Sequence, residues 1–186
     1  MPSFPVHTAE SAPEASRPHL DAARKKFGMV PNLIGVLATS PVAVGSYLTV
    51  TAQFEGSSLS PVEQQVVIIA ASAENRCEYC VSVHSAVAGM VGMPAEALEA
   101  LRAGRDPEDP RLGALARFTR HVVEERGWVD DAELEAFLAA GFGEQQVLEV
   151  VTGVALKTIS NYTNHIAGTP LDDAFASQRW TADALA

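Results

Sequence analysis

The chain has 186 residues, 47% of them apolar, enough to bury one hydrophobic core and too apolar for a disordered polymer. Its 13 lysines and arginines against 23 acids leave a net charge of −10, which argues against a nucleic-acid groove or an anionic membrane surface. Met1 to Leu20 has neither a basic start nor an apolar run, so no secretory signal is read there, and no apolar stretch is long enough to span a bilayer. One domain over residues 1–186 and a cytoplasmic location are the expectations, and in that compartment paired cysteines serve chemistry more often than structure.

Nearly every segment reads as helix. Pro31 to Thr39 and Ser40 to Glu55 form consecutive helices, each opened by a proline just inside its start, and Gly56-Ser57-Ser58 ends the second. Ser60-Pro61-Val62-Glu63 has a capping serine, a proline at the first helical position and a glutamate at the third, which is a capping box. The run Val66 to Ala73 follows as a buried helix, although its β-branched residues suit a strand as well. Asn75-Arg76 breaks it, and a new helix starts at Cys77 or Glu78 and runs to Gly89 or Gly92. Met93-Pro94 opens a short helix to Ala103, and Gly104 to Pro110 is a polar loop of turn formers. From Arg111 to Arg126, Leu112, Leu115, Ala116, Phe118, Val122 and Val123 recur at helical spacing. Asp130-Asp131-Ala132-Glu133 caps a helix that Gly141 stops. Gly143 to Gly168 is apolar on several sides between Val147 and Ile159, the pattern of a helix that is central or sits at a subunit interface. Thr169 to Ala186 is a partly irregular tail. With no alternating strand pattern, the predicted fold is all-α, a single-domain helical bundle.

Both cysteines fall within Glu74-Asn75-Arg76-Cys77-Glu78-Tyr79-Cys80-Val81-Ser82-Val83-His84. On a helix, residues three, four and seven apart share a face, so two thiols and an imidazole are grouped. A helix N-terminus presents free N–H groups and partial positive charge, which favour a thiolate. Cys80, with His84 at i+4, reads as the nucleophile, and Cys77 as the thiol that resolves its oxidised product. Attack on a peroxide gives a sulfenic acid that Cys77 condenses into a disulfide, and an external thiol or dithiol restores the pair. The small-molecule peroxide and an electron-donor protein are then the partners, with no tightly bound cofactor and no metal. Three other readings stay open: two buried cysteines packing as small hydrophobes, an ordinary helix histidine at His84, and zinc held by Cys77, Cys80, His84 and either His121 or His165. Covalent haem is disfavoured, because Val81 stands where its attachment motif has histidine.

The span Leu59 to Ala71, then Asn75 to Cys80, then His84, resembles the core of the alkylhydroperoxidase D and carboxymuconolactone decarboxylase superfamily. The resemblance implies an alkylhydroperoxidase D-like helical domain with its motif core at residues 59–92, trimeric or hexameric assembly, and peroxidase activity in members that keep both cysteines. The chain departs from that pattern twice. Gln65 stands where the alkylhydroperoxidase D proteins have a relay glutamate, and Tyr79 where the best-known members have a histidine between the cysteines. An amide cannot take up the proton, so another acid is sought. Glu74, three residues before Cys77, is the candidate acceptor; Glu63 is claimed by its cap, and Glu149, in an apolar helix, is a third choice.

Lys157, Asn161 and His165 form a polar stripe at steps of four. It reads as a wet or intersubunit face, or, more sharply, as a route for His165 or Asn161 into the thiol pocket. The expected function is a thiol peroxidase cycling Cys77 and Cys80, with Cys80, Cys77, His84 and Glu74 as site residues. The alternative is another use of the same fold: a lyase or isomerase of a small carboxylated substrate, or a redox-sensing binding protein.

Overall fold

A computed structural model describes residues 4–185; Met1 to Ser3 and Ala186, the ends of the N-terminal stretch and the tail read above, lie outside them. Among the described residues the regular structure is helical: α1 (Arg17–Phe27), α2 (Asn32–Leu37), α3 (Pro41–Glu55), α4 (Pro61–Glu74), α5 (Glu78–Met90), α6 (Ala95–Arg102), α7 (Pro110–Glu124), α8 (Asp131–Ala139) and α9 (Glu144–Ala167), with short 3-10 turns at Glu14–Ser16, Asp173–Gln178 and Ala182–Ala184. Among the described residues no helix is long and apolar enough to cross a membrane.

The caps explain where the helices begin. At Ser60 the hydroxyl accepts from Glu63 N–H while the Glu63 carboxylate accepts from Ser60 N–H, so both halves of the capping box form. Asp130 accepts from Glu133 N–H at the start of α8, and Asp109 accepts from Arg111 and Leu112 N–H at the start of α7. Proline sits just inside α3, whereas Pro31 lies one step outside α2 and serves as its cap residue.

The run Val66 to Ala73 is helix, and it is buried almost throughout because α4 is the central element, packed against α5, α6, α7 and α9. Phe118, Phe137 and Phe142 stack with ring centroids 4.2 and 4.4 Å apart and close the α7–α8 side. The Arg111 guanidinium covers Phe142 at 3.8 Å and donates to Glu63 at 2.7 Å, which ties this stack to the start of α4. Helix α9 presses on α3 and α4 at Gly153, where a side chain has no room. Its other side leaves Leu148, Val151, Tyr162 and Ile166 exposed, so α9 is both central and apolar outward. A second, smaller cluster joins Ala23, Leu33, Ile34, Leu37 and Val44 to Cys77, Tyr79 and Cys80, and positions the thiols.

Candidate active site

The turn from α4 to α5 sets the geometry of the thiols. Arg76 adopts a left-handed conformation (φ 56°), and its N–H donates to Ala73 C=O while Cys77 N–H donates to Ser72 C=O, both at 2.8 Å. That pair of bonds closes α4 in a Schellman-type turn and leaves Cys77 as the cap residue of α5. Cys80 follows as the third residue of α5, in the turn where backbone N–H groups lack helical partners.

Both cysteines are free thiols, almost wholly enclosed. Cys80 lines a cavity of about 600 Å³ whose wall is mainly apolar; Cys77 lies behind it, outside that wall. Helix α9 reaches over the pair: Asn164 Nδ2 lies 3.3 Å from Cys80 Sγ and 3.7 Å from Cys77 Sγ. One turn back, Asn161 donates to Ser72 Oγ at 3.4 Å and accepts from Asn75 Nδ2 at 3.0 Å, so the same helix clamps the turn before the cysteines.

The two sulfurs differ in acidity. Burial raises the Cys80 thiol pKa, but the Cys77 thiol donor, the Lys157 charge and the Ser160 and Asn161 side chains outweigh it, and the net shift is downward. Cys77 moves the other way, pushed up by its hydrogen bond to Cys80, by burial and by the charge on Cys80. The accessible sulfur is therefore the acidic one.

His84 lines the cavity one helical turn after Cys80 but makes no hydrogen bond to it; its Nδ1 lies 2.9 Å from Gln65 Oε1. Because an amide oxygen only accepts, Nδ1 carries the proton and Nε2 is left as the acceptor. Burial and then the Lys157 charge hold the ring well below the usual histidine range, so it is neutral. Gln65 thus keeps a fixed partnership with His84, although it cannot take part in proton transfer as an acid.

Glu74 is not brought to the thiols. It does not line the cavity, and after burial the charges that act on it are Glu124 and Arg120 from α7 and its neighbour Arg76. Glu63 is held by its cap and Arg111, and Glu149 is spent on Ser58, whose N–H and hydroxyl it accepts at 2.8 and 2.7 Å. The polar stripe of α9 divides. Lys157 and Asn161 are buried on the thiol side, while His165 is exposed and stacks near Tyr162. Asn164 was not among the sequence candidates; a period of 3.6, rather than strict steps of four, places it on the same face as Lys157. Among the described residues no three of His, Cys, Asp and Glu gather as a metal-binding group; His121 instead lies 3.9 Å from Asp130.

Tyr79, between the cysteines, lines the cavity but commits its hydroxyl elsewhere. Its hydroxyl donates to Asp172 at 2.6 Å and accepts from Leu33 N–H at 3.2 Å, and Asp172 also accepts from Asn32 N–H at 2.9 Å. The residue that departs from the superfamily pattern therefore ties the start of α2 and the C-terminal segment to the dithiol helix.

An all-helical domain with a buried dithiol at a helix start, on the wall of an apolar cavity, defines the class. Residues 43–120 match the carboxymuconolactone decarboxylase family, and over that span the chain is similar to it. No curated protein matches the chain at a significant level. Among solved structures it is similar to an alkylhydroperoxidase AhpD core, an uncharacterized peroxidase-related protein from Ralstonia eutropha JMP134, with 23% identity, a TM-score of 0.82 and 92% and 93% of the two chains covered. A peroxidase-related protein from Silicibacter sp. TM1040 gives 17%, 0.77, and 92% and 91%. A cysteine-to-alanine variant of the debrominase Bmp8, solved with 2,3,4-tribromopyrrole, gives 13%, 0.78, and 96% and 95%. These likenesses establish the all-helical fold.

Proposed function

We propose that the chain is a thiol peroxidase acting on organic hydroperoxides. The observation that carries this reading is the asymmetry of the dithiol: Cys80 is acidic and on the cavity wall, and Cys77 stands protonated behind it. The Cys80 thiolate attacks the hydroxyl oxygen of the hydroperoxide; an S–O bond forms and the O–O bond breaks. Neutral His84 receives the hydroxyl proton at Nε2 and returns it to the departing alkoxide, which leaves as the alcohol. The Cys77 thiol then closes the disulfide, and the oxygen on Cys80 leaves as water carrying the protons of both thiols. One hydroperoxide and two thiols become one alcohol, one water and one disulfide. An external dithiol resets the pair, as a reducing compartment such as the cytoplasm allows. A cavity of about 600 Å³ walled by Leu33, Ile34, Phe54, Ile68 and Leu156 suits a bulky apolar hydroperoxide better than hydrogen peroxide.

Mass spectrometry after one equivalent of cumene hydroperoxide is expected to show both thiols consumed and a Cys77–Cys80 disulfide, with Cys80→Ser abolishing turnover. Full activity in Cys80→Ser would refute the assignment.

A second reading is favoured by the aromatic residues Phe27, Tyr47, Phe54 and Phe175 around the cavity and by the debrominase likeness. In reductive dehalogenation Cys80 takes the halogen of an aryl halide, the carbanion is protonated, and Cys77 displaces halide as the disulfide forms. Cys80-dependent bromide release from a brominated pyrrole selects it, and no bromide release removes it.

A further inference from the structure

Lys157 is left without a role by the chemistry above, yet it is the most costly side chain in the molecule to bury. It is fully enclosed at the centre of α9, and its Nζ has no hydrogen-bond partner among the described residues. An ammonium in such a place is unfavourable by several kcal/mol unless an opposite charge faces it. The titratable groups that face it are Tyr47 from α3 and Cys77, Cys80 and His84 from α5. From α4 the cavity wall brings only Gln64, Gln65 and Ile68, none of which ionises. Among the described residues no carboxylate answers Lys157: Glu55 at the cavity rim is paired with Lys26, and Glu63 with Arg111. Burial keeps the Tyr47 phenol protonated and the His84 ring neutral. Only a thiolate remains, and of the two sulfurs Cys80 shares the cavity wall with Lys157.

We infer that Lys157 is the resident counter-ion of the Cys80 thiolate, a positioning residue on the same cavity wall that holds the thiol's proton in the reduced protein and surrenders it when the disulfide forms. In the reduced protein the pair is ammonium and thiolate. After attack on the peroxide the oxygen on Cys80 is a sulfenate facing the same ammonium. When Cys77 closes the disulfide, that oxygen leaves as water with one proton from Cys77 and one from Lys157, which becomes a neutral amine. The external dithiol returns two electrons and two protons, and the ion pair reforms. The proton cycle rests on the peroxidase reading; the ion pair of the reduced protein does not. Acidity and geometry agree on it, since burial works to lower the Lys157 pKa but the interactions led by the Cys80 charge reverse the shift to upward.

The test is the pH dependence of Cys80 alkylation by iodoacetamide, an uncharged reagent, read by mass spectrometry in wild type, Lys157→Met and Lys157→Gln. Both variants are expected to fold, by circular dichroism, and to move the inflection up by about one pH unit or more, about a tenfold change in the acid constant of the thiol. Folded variants with the wild-type inflection overturn the inference. Wild-type protein alone gives a second readout. In the oxidised form Lys157 has lost its counter-ion, so its pKa drops below that of the unfolded chain, and melting temperature should fall as pH falls from the alkaline side. The reduced form should lack that slope between about pH 8.5 and 10.4, where Cys80 is ionised in the folded and the unfolded chain alike. Equal slopes in both redox forms over that range, or thiolate absorbance that titrates like a free cysteine, overturn the inference even where neither variant folds. A shifted alkylation profile with no peroxide turnover in wild type supports the ion pair and refutes the peroxidase reading.

Discussion

Gln65 Oε1 accepts the Nδ1 proton of His84 across 2.9 Å, and this bond fixes which nitrogen of the ring faces the chemistry. A glutamate at residue 65 would favour the imidazolium; glutamine favours the neutral ring with a free Nε2.

Gln65→Glu is therefore expected to raise the His84 pKa and introduce a histidine-like inflection between about pH 5 and 8 into the peroxide rate, which wild type lacks. His84→Asn should lower the rate by about 10²- to 10⁴-fold, the usual contribution of a positioned proton acceptor. Stopped-flow rates of Cys80 oxidation across pH test both. The stability consequence has a definite sign. With its folded pKa depressed, His84 lets the unfolded chain bind more protons, so stability is lost as pH falls below about 6.5. His84→Asn should flatten that slope in chemical denaturation.

Tyr79→Phe removes the donor from Asp172 and the acceptor from Leu33 N–H while keeping the ring. A buried carboxylate that loses one donor costs about 1–3 kcal/mol. Burial, and then the hydrogen bond to Asp172, push the Tyr79 phenol far above its usual range, so it remains a donor at any working pH. Urea denaturation should show the loss, and limited proteolysis should cut the segment after Gly168 faster than in wild type. Unchanged proteolysis would mean that the clamp does not hold that segment.

Glu74→Gln should leave Cys80 alkylation and peroxide turnover at wild-type values, because the carboxyl lies towards α7 and off the cavity wall. Burial and repulsion from Glu124 raise its pKa, so ionisation becomes less favourable in the folded state and stability is lost as pH rises through the carboxylate range. Removing the charge should erase that loss. A large fall in turnover with an unchanged fold would restore Glu74 as a proton acceptor.

What could be read in the sequence was local. The Ser60–Glu63 capping box, the Asp130 cap and the start of α5 at Cys77 or Glu78 depend on residues within one turn, and each formed as expected. Helix α1 was not foreseen, because its apolar face is narrow: Leu20 and Ala23 are its only buried residues, set among charged ones. The pairing of Gln65 with His84 needs the packing of α4 on α5, and the grip of Asn164 on both sulfurs needs the rotation of α9 about its axis. Tyr79 finds Asp172 far along the chain, beyond the reach of any spacing rule. The α9 stripe was visible, but only burial separates Lys157 and Asn161, which reach the site, from His165, which does not.

Gly153 offers the sharpest test of the packing that carries those α9 residues to the thiols. A Cβ built there would lie 2.6 Å from Val67 Cγ1 and 2.8 Å from Phe54 Cε2, closer than packed atoms approach. Val67 and Phe54 are themselves fully buried, and a β-branched side chain and an aromatic ring have few other rotamers, so the backbones of α3, α4 and α9 must part. Gly153→Ala gains helix propensity of about 1 kcal/mol and still should destabilise the fold, with about 1–3 kcal/mol of overpacking strain opposing it. Because Lys157, Asn161 and Asn164 lie on the same helix, the displacement should also loosen Asn164 from Cys80 and raise the alkylation inflection. Chemical denaturation and alkylation of one variant measure both effects. A variant at wild-type stability or above would show that α9 is not pinned at Gly153.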